Sequence, residues 1–323
     1  MVGVGHLGKI HLRLLQESQA FELAGIYDAD ATVRDRYRRE GIPVYDAYTE
    51  LLSDVEAVDI VTPTIHHFES AKAAICAGRH VFIEKPITRT LEEAEELLKL
   101  LEARPEIKAQ VGHVERFNPG FLAVSAHELD PMFIEGHRLA IYNPRGTDVS
   151  VVFDLMIHDL DIVLSVVDAP IKQVQASGVG VISSSTDIAN ARIEFENGAV
   201  ANLTASRISV KNMRRLRFFQ RNTYLAVDFL KKSAEVFRLT DDEGEAAKSS
   251  LSFPMDNGDE KRFLVFEQPE SPPVNSILLE LEEFASAIES NTPIKVGIQA
   301  GYKALKAAHQ IAEKIESSLQ RLQ

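Results

Sequence analysis

One cysteine in 323 residues leaves no partner for an internal disulfide and none for a thiolate metal site. That residue, Cys76, lies in the alanine-rich stretch SAKAAICAGRH, where it reads as a small buried apolar side chain. Long apolar runs are missing too. None approaches the roughly 18 residues of a membrane span, and the start MVGVGHLGK lacks a charged region followed by an apolar signal core. Bases are scarce, 35 against 48 acids, and a net charge of −13 argues against general binding to nucleic acid or to anionic membranes. There is no internal repeat or low-complexity tract. What remains, 45% hydrophobic and 26% charged residues, suits a cytoplasmic globular protein, and its length predicts two domains.

The first part alternates short β-branched runs with helical patterns, which predicts βαβ units and an α/β Rossmann domain with a doubly wound parallel sheet over residues 1–115. Helices are predicted over 9–17, 31–40, 68–77 and 90–102, and strands over 21–27, 57–61, 81–83 and 109–114. Only Met1 and Val2 precede the first glycine, so the first strand is either unusually short or begins upstream. Beyond about residue 115 strands cluster, predicting an α+β domain over 116–323. Its helices are placed at 153–167, 276–289 and 299–319, and Asn197-Gly198 marks a hairpin turn. The acidic, aperiodic stretch 241–258 is predicted to be a solvated loop.

Gly3-Val4-Gly5-His6-Leu7-Gly8 fits G-x-G-x-x-G, whose glycines allow a tight turn, backbone approach to a pyrophosphate and close helix packing. Asp28 lies 20 residues after Gly8 at a predicted strand end, where a carboxylate can bind both ribose hydroxyls and repel a 2′-phosphate, so the dinucleotide expected is NAD. Thr62-Pro63-Thr64-Ile65-His66-His67 and Glu84-Lys85-Pro86 each follow a strand at the sheet edge where ligands bind. Adjacent histidines seldom converge on one ion, and no metal is expected. In Asp154-Leu155-Met156-Ile157-His158-Asp159-Leu160-Asp161, Asp154 and His158 are spaced to share one helix face.

The order of glycine loop, T-P-x-x-x-H at Thr62 to His67, E-K-P at Glu84 to Pro86 and D-x-x-x-H-x-x-D at Asp154 to Asp161 resembles the glucose-fructose oxidoreductase/inositol dehydrogenase/MocA (Gfo/Idh/MocA) family along nearly the whole chain. The resemblance implies an N-terminal Rossmann domain for NAD or NADP and a C-terminal domain with an open, mostly antiparallel sheet for substrate and oligomer contact. It implies Lys85 and His158 as catalytic residues with Asp154 as the accompanying acid. Gly3, Gly5, His6, Leu7, Gly8, Asp28, Thr62, Pro63, His67, Glu84 and Lys85 are the implied cofactor-binding set. Gly112-His113-Val114-Glu115-Arg116-Phe117-Asn118-Pro119, with residues 150–155, resembles the members that oxidise nucleotide sugars, the UDP-N-acetylglucosamine 3-dehydrogenases. This nominates Arg116, Asn118 and Asp154 as substrate-binding residues and a UDP-N-acetylhexosamine, oxidised at its 3-position, as substrate. Alternatively Glu115 and Arg116 form a salt bridge and Asn118-Pro119 merely begins a helix. The cluster Arg207, Lys211, Arg214, Arg215 and Arg217 could meet a diphosphate or lie on a solvated sheet face.

The expected protein is an NAD-dependent sugar or nucleotide-sugar dehydrogenase, a homodimer or homotetramer built through its C-terminal sheet. Three alternatives stay open: a dehydrogenase of a free sugar or polyol, a non-catalytic NAD-binding sensor, and a metal-dependent hydrolase using Asp154, His158 and Asp161.

Overall fold

The computed structural model describes residues 1–125, 127–143, 149–249, 251–256 and 261–320. They form two compact units, Met1–Phe117 with Val274–Lys306, and Asn118–Pro273 with Ala307–Gln323. The first unit leaves off close to the predicted 115/116 boundary, and Val274–Lys306 groups with it as well. Helix Ser276–Glu289 returns to the first unit because its apolar face has a core to enter there: Leu281 and Phe284 pack with Val4, Leu12, Leu15 and Phe82.

In the first unit, β1 (Ala57–Ile60), β2 (His80–Glu84) and β3 (Ala109–Gly112) form a parallel sheet in the order β1-β2-β3. Isolated parallel bridges extend it, Val2 to both Tyr27 and Ile60, and Ile26 to Val44. The lateral order is thus third, second, first, fourth, fifth, sixth segment, the doubly wound arrangement with its reversal between Val2 and β1. The strand predicted over 21–27 shrinks to Ile26 and Tyr27, since the ladder beside it is the single residue Val2. Helix Tyr48–Asp54 was hidden in a polar stretch; Glu50 reaches back to the Ala47 N–H to close its first turn. Cys76 is exposed, contrary to expectation. Ala71, Ala74 and Ile75 fill the buried stripe of helix His67–Cys76, and position 76 falls outside it.

The second unit holds β4 (Phe133–Leu139), β5 (Ile171–Val179), β6 (Ile188–Phe195), β7 (Val200–Ser206), β8 (Met213–Gln220), β9 (Thr223–Asp228), β10 (Ser233–Thr240), β11 (Leu251–Asp256) and β12 (Lys261–Glu267). Among the described residues they make one sheet in the order β11-β12-β10-β9-β8-β4-β7-β6-β5, antiparallel except where β4 meets β7. Gly198, at φ +86°, turns β6 into β7 as its Asn-Gly signal predicts. The stretch predicted as a loop over 241–258 instead contains helix Glu243–Lys248 and β11; Asn257 and Gly258 lie outside the described residues. Alternation of Leu251, Phe253 and Met255 with Ser252, Pro254 and Asp256 supplies the strand pattern, and β12 supplies its partner.

One sheet face is buried, where Ile134, Leu203, Leu216, Phe218, Leu225 and Val227 pack with Val152, Met156, Leu160, Val163, Ile311 and Ile315. On the other face the rings of Phe133, Phe219, Tyr224, Phe237 and Phe266 form a row, with successive centroids 5.8, 4.9, 5.4 and 4.7 Å apart. No helix among the described residues is long and apolar enough to cross a membrane.

Candidate active site

The glycine loop joins Val2 to helix His6–Glu17. Gly3 has φ +84°, and a Cβ there would lie 2.8 Å from the Val61 carbonyl oxygen. At Gly8 a Cβ would come within 2.2 Å of the Gly3 carbonyl oxygen, so the helix approaches the loop as only glycine permits. Gly5 is different. Nothing lies within 4 Å of where its Cβ would be, which leaves the helix N-terminus, with His6 and Leu7 in its first turn, uncovered for a pyrophosphate.

Asp28 stands beside this loop. Its Oδ2 accepts the Val4 N–H at 3.0 Å and its Oδ1 the Asp30 N–H at 3.0 Å, so the carboxylate is aimed before any ligand arrives. Each oxygen keeps a second lone pair for a ribose hydroxyl. Arg34, the nearest basic side chain, donates to the Asp28 and Ala29 carbonyls and faces Asp46, so it is committed to the protein. Open Gly5, tight Gly3 and Gly8, and an oriented Asp28 fit NAD.

Thr62 and Pro63 follow β1, and Glu84, Lys85 and Pro86 end β2, at one edge of the parallel sheet. His67, nominated for the cofactor, is only 1% exposed. Its Nδ1 lies 2.8 Å from the Pro86 carbonyl oxygen and its Nε2 2.8 Å from that of Thr62. Burial holds its pKa below the ordinary histidine value. The ring is packed between two edge turns, with its N–H donated to one of these carbonyls and neither nitrogen open to solvent. Glu84 is likewise buried, against His11, and its Oε2 accepts the Lys85 N–H at 3.0 Å. The Lys85–Pro86 peptide bond is cis.

In the second unit Asp154 lies in a single π-helical segment, Val152–Met156, that runs into helix Ile157–Val166, where His158 sits. Such turns recur at functional sites because they redirect side chains. Asp154 and His158 are both half-buried. The next residue, Asp159, is fixed from below: Arg138 on β4 donates to its Oδ1 from Nε at 3.0 Å and from an Nη at 2.7 Å, and both residues are buried. Asp161 is buried as well, and no group of three or more His, Cys, Asp or Glu among the described residues is placed to hold a metal ion.

Asn118 does not line a crevice. It is 5% exposed, its Oδ1 caps the short helix Pro119–Leu122 through the Gly120 N–H, and its Nδ2 donates to the Phe229 carbonyl. Arg116 is half-buried at the end of the first unit. Three members of the basic cluster are paired, Arg217 with Glu135 at 2.6 Å and Arg215 with Glu235 at 2.8 Å on the open sheet face, while Arg207 holds the Val149 carbonyl and faces Asp187. Lys211 and Arg214 are exposed.

Sequence reasoning missed His11, Asp59 and Arg138. The signal for Asp59 was present, a carboxylate inside an otherwise apolar strand, which demands a buried partner.

Residues 1–113 match the oxidoreductase family with an NAD-binding Rossmann fold, and residues 124–223 match the Gfo/Idh/MocA C-terminal domain. The chain belongs to the Gfo/Idh/MocA oxidoreductase family, and its first unit is an NAD-binding one. It is 34% identical to the UDP-N-acetylglucosamine 3-dehydrogenase of Acidithiobacillus ferrooxidans over 99% of this chain and 98% of that protein. A crystal structure of that dehydrogenase superposes with a TM-score of 0.86 at 33% identity, covering 98% of this chain and 96% of that one. The scyllo-inositol 2-dehydrogenase (NAD(+)) of Bacillus subtilis is 31% identical, but over 65% of this chain and 67% of that protein.

Proposed function

We propose that the protein is an NAD-dependent dehydrogenase that oxidises the 3-hydroxyl of a UDP-activated N-acetylhexosamine. The observation that carries this reading is the end-to-end similarity to the nucleotide-sugar enzyme, set against a match to the inositol enzyme that spans about two thirds of each chain. When bound on the Gly3 to Gly8 loop and Asp28, NAD supplies the acceptor for the hydride that leaves the hydroxyl-bearing carbon. His158 takes the hydroxyl proton as general base, a task suited to an imidazole because its ring nitrogen can accept and return a proton near neutral pH. Lys85 donates a hydrogen bond to the same oxygen and stabilises the negative charge that develops there. Asp154, four residues before His158, orients the substrate or the imidazole. Arg116 offers a planar fork to a phosphate or sugar oxygen. Asn118 is not included, because it is buried and its amide serves the Gly120 N–H and the Phe229 carbonyl.

The same reading makes the protein a cytoplasmic homodimer or homotetramer associating through the open face of the nine-stranded sheet. The ring row and the Arg–Glu pairs on that face support it, since they combine apolar area with self-compensating charge.

Turnover of UDP-N-acetylglucosamine, free N-acetylglucosamine and inositol, followed through reduced nicotinamide, tests the assignment. The nucleotide sugar should be the best substrate by a wide margin, because a polyol forgoes the contact proposed between Arg116 and a phosphate oxygen. Faster reduction of NAD by inositol or the free sugar overturns the substrate, and no reduction by any of them favours the non-catalytic sensor.

A further inference from the structure

Lys85 is flanked by two residues that the core holds. On one side the His67 ring packs between the Pro86 and Thr62 carbonyls. On the other, Glu84 points inward and accepts the Lys85 N–H. The Glu84 carboxylate occupies space that exists only because residue 112 is glycine: a Cβ there would lie 2.7 Å from Oε1. Facing that carboxylate is His11, fully buried on the helix that follows the glycine loop. Its Nδ1 is 3.0 Å from Asp59 Oδ2 on β1, and its Nε2 is 3.3 Å from Glu84 Oε1 at the end of β2, near enough for charge attraction though poorly aligned as a hydrogen bond. The charged groups facing the ring are these two carboxylates, Asp59 is also acted on by the buried Met1 ammonium, whose pKa burial lowers to about 6, and Phe82 closes the apolar side edge-on at 5.9 Å.

With its proton on the ring, the imidazole meets both carboxylates with one cation. A neutral ring beside two ionised carboxylates would leave them without that cation in the core, at several kcal/mol of desolvation each.

We propose that His11 is a positioning residue for Lys85: as an imidazolium bridging Asp59 and Glu84, it fixes the strand end from which Lys85 projects. The inference rests on the reading that Lys85 acts at the substrate oxygen. Because His67 holds the other flank, losing His11 displaces Lys85 without releasing it. The effect should fall on kcat and spare the KM for NAD, since no residue of the bridge is assigned to the dinucleotide except Glu84, whose carboxylate is turned inward.

Burial by itself lowers the His11 pKa, but Asp59 and then Glu84 more than offset that and raise it to about 10. The wild-type bridge is therefore insensitive to pH through the neutral range. Asp59→Asn removes the stronger anion and brings the ring's proton loss into the range of an assay.

The experiment measures kcat against pH for the wild type, His11→Gln, Asp59→Asn and Lys85→Met, with thermal melts at each pH and histidine-selective NMR of the ring. In His11→Gln, kcat should drop about 10- to 100-fold at every pH, the scale of a misplacement of about 1 Å, with an unchanged KM for NAD. Asp59→Asn should stay near wild-type rate at pH 6 and gain an alkaline limb the wild type lacks, matching the titration of its own His11 resonance while the protein remains folded. An Asp59→Asn profile parallel to the wild type, or a His11→Gln rate within twofold of it, overturns the proposal. Should His11→Gln not fold, the Asp59→Asn profile decides alone. Retained turnover in Lys85→Met is a separate failure, that of the catalytic role of Lys85.

Discussion

The two units anchor their candidate catalytic side chains by the same device with different cations. Lys85 follows a buried carboxylate, Glu84, met by His11; His158 precedes a buried carboxylate, Asp159, met by Arg138. In both, the residue beside the functional one is sunk into the core and compensated there, so the functional side chain inherits a fixed backbone. A buried pair adds little net stability but is costly to break, which makes it a good positioning device. The cations differ in permanence. A guanidinium keeps its charge at any accessible pH, whereas an imidazolium keeps it only while its anions hold the proton.

The largest expected effect strikes the functional residues themselves. His158→Asn should lower kcat/KM by about 10²- to 10⁴-fold, the range for a lost general base, with NAD binding measured by fluorescence nearly intact, and Lys85→Met should be comparably impaired in rate. Weakened NAD binding in step with the rate in His158→Asn would make that residue structural and dissolve the comparison.

Next comes the contrast between the anchors. Arg138→Met takes from buried Asp159 the guanidinium that meets it and should cost about 3–5 kcal/mol in urea unfolding; in the wild type that guanidinium keeps its charge from pH 6 to pH 9. The His11 contribution behaves otherwise. Its folded pKa of about 10 lies above the unfolded value of 6.5, so the stability it provides is fully present below pH 6.5 and is lost as pH rises through about 10. Wild-type stability that falls over this interval, with the fall absent in His11→Gln, sharpens the comparison; identical pH curves break it.

The smallest effect concerns the cofactor. Asp28→Ser should narrow the preference for NAD over NADP by about tenfold, roughly 1.4 kcal/mol, by removing repulsion of a 2′-phosphate. Equal affinity for the two dinucleotides in the wild type would mean that Asp28 serves only the Val4 and Asp30 amides.

Much of this was legible in sequence because period and punctuation report local structure. The glycine loop, the Asn197-Gly198 turn and helix Ser276–Glu289 follow from residues near one another. What sequence could not show were partnerships at a distance. Asn118 and His67 look like ligand-binding residues until the carbonyls of Phe229 and Pro86 are seen to occupy them. Arg215 and Arg217 look like a cationic patch until Glu235 and Glu135 stand opposite. The return of the helix at 276–289 to the first unit was equally hidden, because an amphipathic pattern states that a face is buried and never against what.

The parallel seam between β4 and β7 carries a consequence for how the second unit is made. On one side, β5, β6 and β7 form a meander of consecutive antiparallel neighbours; on the other, β8, β9 and β10 do the same. Each group can assemble by hairpin closure. β4 precedes them all in the chain yet lies between β7 and β8, so it joins the two groups only after closing loops of more than 60 residues. The strand made first by the ribosome has the widest gaps to close, and loop-closure entropy makes its pairings with β7 and β8 costlier to form than the hairpins on either side.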